Sequence, residues 1–263
     1  MIDVVRILRE TTVARVEYHP TIGSTNDRAA QCAARGASEL PLLVVADRQT
    51  AGRGRDAKHW WTGPGSLAFS LLVDAETVAA DESRSPLVAL AVAVAVAETA
   101  APLLPSHPVG IHWPNDVYVG ISEQIGERKL SGILVEVLPN RRHVIGIGLN
   151  MNDVAADAPA DLRGKFTTIF DVTGQQHNRT DVLIDLLQRL FDEFARLRSD
   201  PKAVADRANR LCMQRDRTLT LQWGERKTVG RCRGVADDGA LLLETSAAVE
   251  KFYSGSVMRK TSN

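Results

Sequence analysis

Cysteine is scarce here, and that scarcity already excludes some chemistry. Cys32, Cys212 and Cys232 are the whole supply. Their number is odd, their spacing is wide and no Cys-x-x-Cys occurs, so a disulfide framework and a structural zinc site are both disfavoured and a reducing compartment fits. An excess of one charge is also missing, since Lys+Arg and Asp+Glu each total 32. Proteins that live on non-specific nucleic-acid binding usually show a basic excess, so any anion site in this chain is local. No long apolar run is present: the longest uncharged one, residues 87–97, falls short of the roughly 20 residues that span a bilayer. The first twenty residues carry Arg6, Arg9, Glu10, Arg15 and Glu17 where a signal peptide would have its apolar core. Neither the phosphate-loop signature G-x-x-x-x-G-K-[ST] nor the dinucleotide fingerprint G-x-G-x-x-G occurs. A soluble, cytoplasmic protein of ordinary globular composition is expected.

What is present reads as two domains. Residues 24–36 predict a helix capped by Ser24 or Thr25, with Gly36 at the left-handed position after its end. Residues 42–47 and 66–73 predict strands, the second with Leu67, Phe69, Leu71 and Val73 on one face. Residues 79–85 read as a connection. The alanine-rich run from Leu87 continues to Ala101 between Pro86 and Pro102, which predicts a buried core helix. Strand-like ends flank Pro114, and residues 130–138 and 143–152 predict neighbouring strands joined by a turn at 139–142. Gly146 and Gly148 share a strand face, where glycine permits close approach. Residues 181–197 form an amphipathic helix by their apolar period, with Thr180 as its cap. After about Cys212 short strand-like pieces follow one another, with a hairpin signal at Asp238-Gly239, which suggests a small β-barrel.

Four short groups can carry chemistry. Gly52-Arg53-Gly54-Arg55 combines a permissive backbone with guanidinium forks that suit phosphate. Taken alone it is equally a solvated basic loop, or an RNA-binding segment, although Asp47 and Asp56 count against the latter. Trp113-Pro114-Asn115-Asp116 is good turn material. Lys129 stands just before a strand that holds Gly132, and Ser24-Thr25-Asn26 is explained by helix capping.

Taken in order, and joined by Gln49, Trp60 and Gly148-Leu149-Asn150, these groups resemble the biotin–protein ligase family from about Tyr18 to Val257. The resemblance implies an α+β fold: a class II synthetase-like mixed sheet with helices over about residues 1–210, and a small SH3-like barrel over 211–263. It implies that ATP, with Mg2+, converts biotin to biotinyl-5′-AMP, and that biotin then passes to a lysine of a biotin carboxyl carrier protein. Catalytic roles fall on Lys129, Arg53 and Asp116. Biotin binding falls on Ser24, Thr25, Asn26, Gln49, Arg53, Gly54, Arg55, Lys129 and Gly132. The adenylate falls to Arg53, Arg55, Trp60, His112, Asn115 and Asn150. No specific DNA and no membrane are expected as partners, and a homodimer is left open. His112 departs from the family, which usually places Arg or Lys there. Only about twenty residues precede Ser24, so the DNA-binding domain of some members, and with it repression, is expected to be absent. Lipoate–protein ligase or octanoyl transferase shares the fold and is the nearest alternative. A catalytically inactive homologue serving as a binding module is another.

Overall fold

The computed structural model describes residues 2–78 and 85–258. The connection expected at 79–85 lies outside the described residues except for its last member, where a helix begins. In chain order the first part holds α1 (Val4–Glu10), β1 (Arg15–Ile22), α2 (Thr25–Ala34), β2 (Leu42–Gln49), β3 (Leu67–Val73), α3 (Ala75–Val78), α4 (Ser85–Ala100), β4 (Val109–His112), β5 (Asp116–Ser122), β6 (Gly126–Val137), β7 (His143–Leu149), α5 (Ile169–Thr173), α6 (Arg179–Ser199) and α7 (Pro201–Leu211). Its strands form one seven-stranded sheet in the order β1-β2-β3-β7-β6-β5-β4. Only β1 and β2 run parallel, so the sheet is mixed.

Both faces of the sheet centre are covered, which explains why β3 and β7 are buried along their whole length. Leu67, Phe69, Leu71 and Val73 do share a face, in the larger core with α4, α6 and α7. The opposite face of the same strands meets α2, whose Ala29, Cys32 and Ala33 rest on Leu42, Val44, Leu72 and Val144. Ser24 caps α2, and Gly36 follows it at φ +77°. By length and composition alone, the stretch Pro86–Leu103 could cross a bilayer. A helix apolar all round is buried, and α4 lies between the sheet and α6 and α7. The cap of α6 is Asn178, which accepts from the backbone of Thr180 (2.9 Å) and Asp181 (3.4 Å). Thr180, expected in that role, sits inside the first turn, and its hydroxyl accepts from the Asp3 amide at 3.0 Å.

The second part holds β8 (Thr218–Trp223), β9 (Arg226–Val235), β10 (Leu241–Glu244), β11 (Val249–Phe252) and β12 (Ser256–Met258). They make a small antiparallel sheet, β11-β10-β9-β8-β12, with Gly239 in the β9–β10 turn at φ +86°. Asn209 and Trp113 are among the side chains that dock it on the first part. The Asn209 amide donates to Val235 O (2.6 Å) and accepts from Val235 N (2.7 Å), as a neighbouring strand would. Trp113 Nε1 donates to Gly239 O at 3.1 Å.

Asn209→Ala would leave both backbone groups of buried Val235 without partners, at a cost of about 1–3 kcal/mol. The expected outcome is a lower urea midpoint and roughly tenfold or faster exchange of the Val235 amide, a factor worth about 1.4 kcal/mol. Unchanged exchange at Val235 would show that the docking does not depend on this pair.

Candidate functional site

The site begins with a floor that has no side chains. Gly132 of β6 pairs directly with Gly148 of β7, and Gly146 lies two residues back along β7. A Cβ at Gly132 would come within 2.8 Å of the Trp60 ring, one at Gly148 would strike the same indole, and one at Gly146 would strike Asn26. Glycine is needed at each of these positions for close approach. An irregularity in the β5–β6 pairing then sets the aim of Lys129. Val117 pairs with Ser131 and Tyr118 with Lys129, so Leu130 is an extra, bulged residue. A bulge re-aims side chains, and this one brings Lys129, three residues from Gly132, onto the glycine face: its Cε lies 3.2 Å from where a Cβ of Gly132 would be. Lys129 thus stands inside β6 and not just ahead of it, as the sequence suggested.

The basic loop folds over this floor as a small hairpin. Gly54 N donates to Lys58 O (2.7 Å), Trp60 N donates to Gly52 O (2.9 Å), and Arg53 bridges to His59. A Cβ at Gly52 would meet Trp60 O at 2.6 Å, so that glycine is fixed by crowding. The two arginines then part. Arg53 reaches back to Asp27 (2.6 Å) and Glu136 (3.1 Å), latching the loop to α2 and β6. Arg55 reaches Asn115 Oδ1 (3.1 Å) and, across to the second domain, Gly255 O (3.4 Å). Ser256 Oγ donates to Asp56 at 3.2 Å.

The walls are polar and stitched. Thr25 N donates to Gln49 Oε1 (2.8 Å), and Gln49 Nε2 donates to Thr62 Oγ1 (3.2 Å). Asn26 Nδ2 donates to Glu136 Oε2 (2.6 Å), and Ser70 Oγ donates to Asn26 Oδ1 (2.6 Å). Ser24, Thr25 and Asn26 are buried. Lys129 Nζ lies 2.7 Å from Asp116 Oδ1 and 5.5 Å from the Trp60 ring centroid.

These groups line a cleft that takes in every residue proposed from the sequence except His112 and Asn150. Asn150, expected at the adenylate, is buried just past β7, and its Nδ2 has no partner. It lines neither this cleft nor the neighbouring cavity. His112 lines that second cavity, which lies between the sheet edge and the small β domain and shares Arg55, Asn115 and Asp116 with the first. Its Nε2 lies 2.8 Å from Glu127 Oε2, and its ring stacks on Tyr118 at 3.7 Å. Arg217 forks onto Glu127 at 2.6 and 2.9 Å. Burial pushes the Glu127 carboxyl up, but the bonds from His112 and Arg217 outweigh it and hold its pKa at about 2. Glu127, Glu136, Asp27 and Arg217 were missed in the sequence. A carboxylate within the apolar run 130–138 was the available signal for Glu136.

A domain of this build, a mixed sheet bearing a glycine-floored cleft under a two-arginine loop, matches the family model described as the Biotin/lipoate A/B protein ligase family over residues 18–152. The model of the Biotin protein ligase C terminal domain matches residues 218–259. The chain belongs to the biotin/lipoate A/B protein ligase family. With both models matched, it is an enzyme of the biotin–protein ligase class within it. The bifunctional ligase/repressor BirA of Bacillus subtilis (strain 168) is 30% identical over 253 residues, covering 91% of this chain and 72% of that protein. The biotin–[acetyl-CoA-carboxylase] ligase of Mycobacterium tuberculosis (strain ATCC 25618 / H37Rv) is 29% identical over 239 residues, covering 90% and 85%. Among solved structures, the biotin protein ligase from Aquifex aeolicus in complex with biotin and ATP superposes with a TM-score of 0.80 at 25% identity, covering 94% of this chain and 99% of that one.

Two expectations follow from this geometry. Gly148→Ala would push a methyl into the Trp60 indole and lift the loop, so trypsin should cut after Arg53, Arg55 and Lys58 faster than in the wild type; equal rates would mean that the floor does not hold the loop. Glu127, with a folded pKa of about 2 against 4.5, contributes stability that is present above 4.5 and lost as the pH falls through 2. In Glu127→Gln the acid destabilisation across that window should be shallower. An unaltered acid profile would sink this assignment.

Proposed function

We propose that the protein joins biotin to ATP as biotinyl-5′-AMP, releasing pyrophosphate, and then transfers the biotinyl group to a lysine of a biotin carboxyl carrier protein. The observation that carries this reading is the Lys129–Asp116 pair, set on the glycine-floored cleft where it opens into the second cavity. A carboxylate is a poor electrophile and must become a mixed anhydride, which brings two anions together. In the first step a biotin carboxylate oxygen attacks the α-phosphorus, and the bond to the bridging oxygen of the leaving pyrophosphate breaks. Lys129 and Arg55 stand where that repulsion has to be cancelled and where charge grows in the transition state. In the second step the acceptor amine attacks the acyl carbon, AMP leaves, and Asp116 takes the proton. Ser24, Thr25 and Gln49 offer the polar partners that a buried ureido ring needs. Trp60 now fills the space over Gly132 and Gly148, so it moves aside for the ring and closes over the intermediate, shielding it from water. Arg53 latches the loop.

Mg2+ would arrive with ATP and supply charge neutralisation. Among the described residues no cluster of three or more ligating side chains could cage a metal. Asp116 lines the second cavity, and one or two carboxylates beside substrate phosphates suit Mg2+. The names and contents of the Mycobacterium tuberculosis and Aquifex aeolicus relatives support biotin, ATP and a carboxylase acceptor. The odd number and wide spacing of the cysteines support a cytosolic ligase, and balanced charge supports one that does not act as a repressor.

The test is ATP–pyrophosphate exchange. Biotin should drive it and lipoate or octanoate should not; equal exchange with lipoate would move the protein to the lipoate ligases. Lys129→Ala should slow adenylation by about 10²–10³, the scale for one positioned charge-stabilising donor. Arg53→Gly frees the loop, and Arg55→Gly removes a phosphate partner as well, so both should leak adenylate that biotinylates serum albumin, Arg55→Gly the more. Albumin labelling by Lys129→Ala would overturn this division.

A further inference from the structure

We propose that Arg217, carried by the small β domain, is a substrate-binding residue that leaves Glu127 to hold the terminal phosphates of ATP and the pyrophosphate that departs. This rests on the ATP-dependent reading above. The attacking carboxylate and the leaving oxygen lie on opposite sides of the α-phosphorus, so the two terminal phosphates extend away from the biotin cleft. The glycine floor and the α2 wall give them nothing, because Arg53 is already shared between Asp27 and Glu136. The second cavity begins where Lys129 and Asp116 end. Its wall holds Arg55, Lys58, His112 and Arg217.

Arg217 is built for exchange. Its backbone is fixed, with its amide donating to Gln214 O (3.1 Å) and its carbonyl accepting from Cys232 N (2.9 Å). Its side chain is 54% exposed and forks onto a carboxylate that is only 16% exposed. A guanidinium fork matches carboxylate and phosphate oxygens alike. Glu127 therefore stands in for the anion and keeps the fork aimed into the cavity. When Arg217 swings away, Glu127 keeps His112 as a partner at 2.8 Å, so the buried carboxylate is not stranded. His112, held by Glu127 and stacked on Tyr118, is occupied, which leaves the arginine of the neighbouring domain to supply a full, permanent charge.

The alternative is that Arg217 and Glu127 merely clamp the two domains together. The two roles predict opposite signs. As a phosphate ligand, Arg217→Ala should raise KM for ATP and for pyrophosphate in the exchange reaction by about 10- to 100-fold, the scale of losing hydrogen bonds to a charged group. KM for biotin should stay within about twofold, and Arg217→Lys, which keeps the charge, should restore most of the loss. Glu127→Gln removes the competing carboxylate and should lower KM for pyrophosphate. Were the pair only a clamp, both variants would weaken pyrophosphate alike, and that result overturns the proposal. An unchanged KM for pyrophosphate in Arg217→Ala, with biotin-dependent exchange intact, also overturns it and leaves the ligase reading standing. Absence of biotin-dependent exchange in the wild type would instead sink the ligase reading.

Discussion

Two glycines facing each other across β6 and β7 decide what this protein can do. Because Gly132 and Gly148 present no side chains, a flat group can lie directly on the sheet, and here that group is the Trp60 indole. Everything around the floor serves to present or cover it. The bulge at Leu130 brings Lys129 onto the same face, α2 supplies a polar wall, and the Arg53 latch brings the tryptophan down. A sheet buried on both faces is rigid, so the groups standing on it keep their spacing.

The small β domain is part of this arrangement. Trp113, in the turn that presents Asn115 and Asp116, bonds to the β9–β10 turn, and the basic loop bonds to Gly255 and Ser256. The second cavity has walls from both domains. Its electrostatics come from a carboxylate of one and a guanidinium of the other, 90 residues apart in sequence.

Much of this was legible in the chain because glycine, tryptophan and the charged residues stand in compact groups. The loop, the turn at Pro114, the capped α2 and the buried α4 could all be read from local spacing. What escaped depends on pairing between distant segments. Nothing near Lys129 announces that Leu130 is bulged, since a bulge exists only relative to a partner strand. Arg53 and Arg55 look alike in sequence, and only the positions of Asp27, Glu136 and Asn115 tell them apart. The cap of α6 was misplaced by two residues because Asn178 and Thr180 are both acceptable caps by local rules. Asn150 is buried just past the strand end.

The position of Trp60 over the floor also bears on how fast a ligand can enter. With the indole in place, a second planar ring has nowhere to lie. Entry waits for the loop to release its hold on α2, β6, the Asn115 turn and the small β domain together. Such a gate limits capture to the frequency of its own opening. The association rate would then climb with ligand concentration only until it met that frequency, and beyond that it would level off however much ligand was supplied.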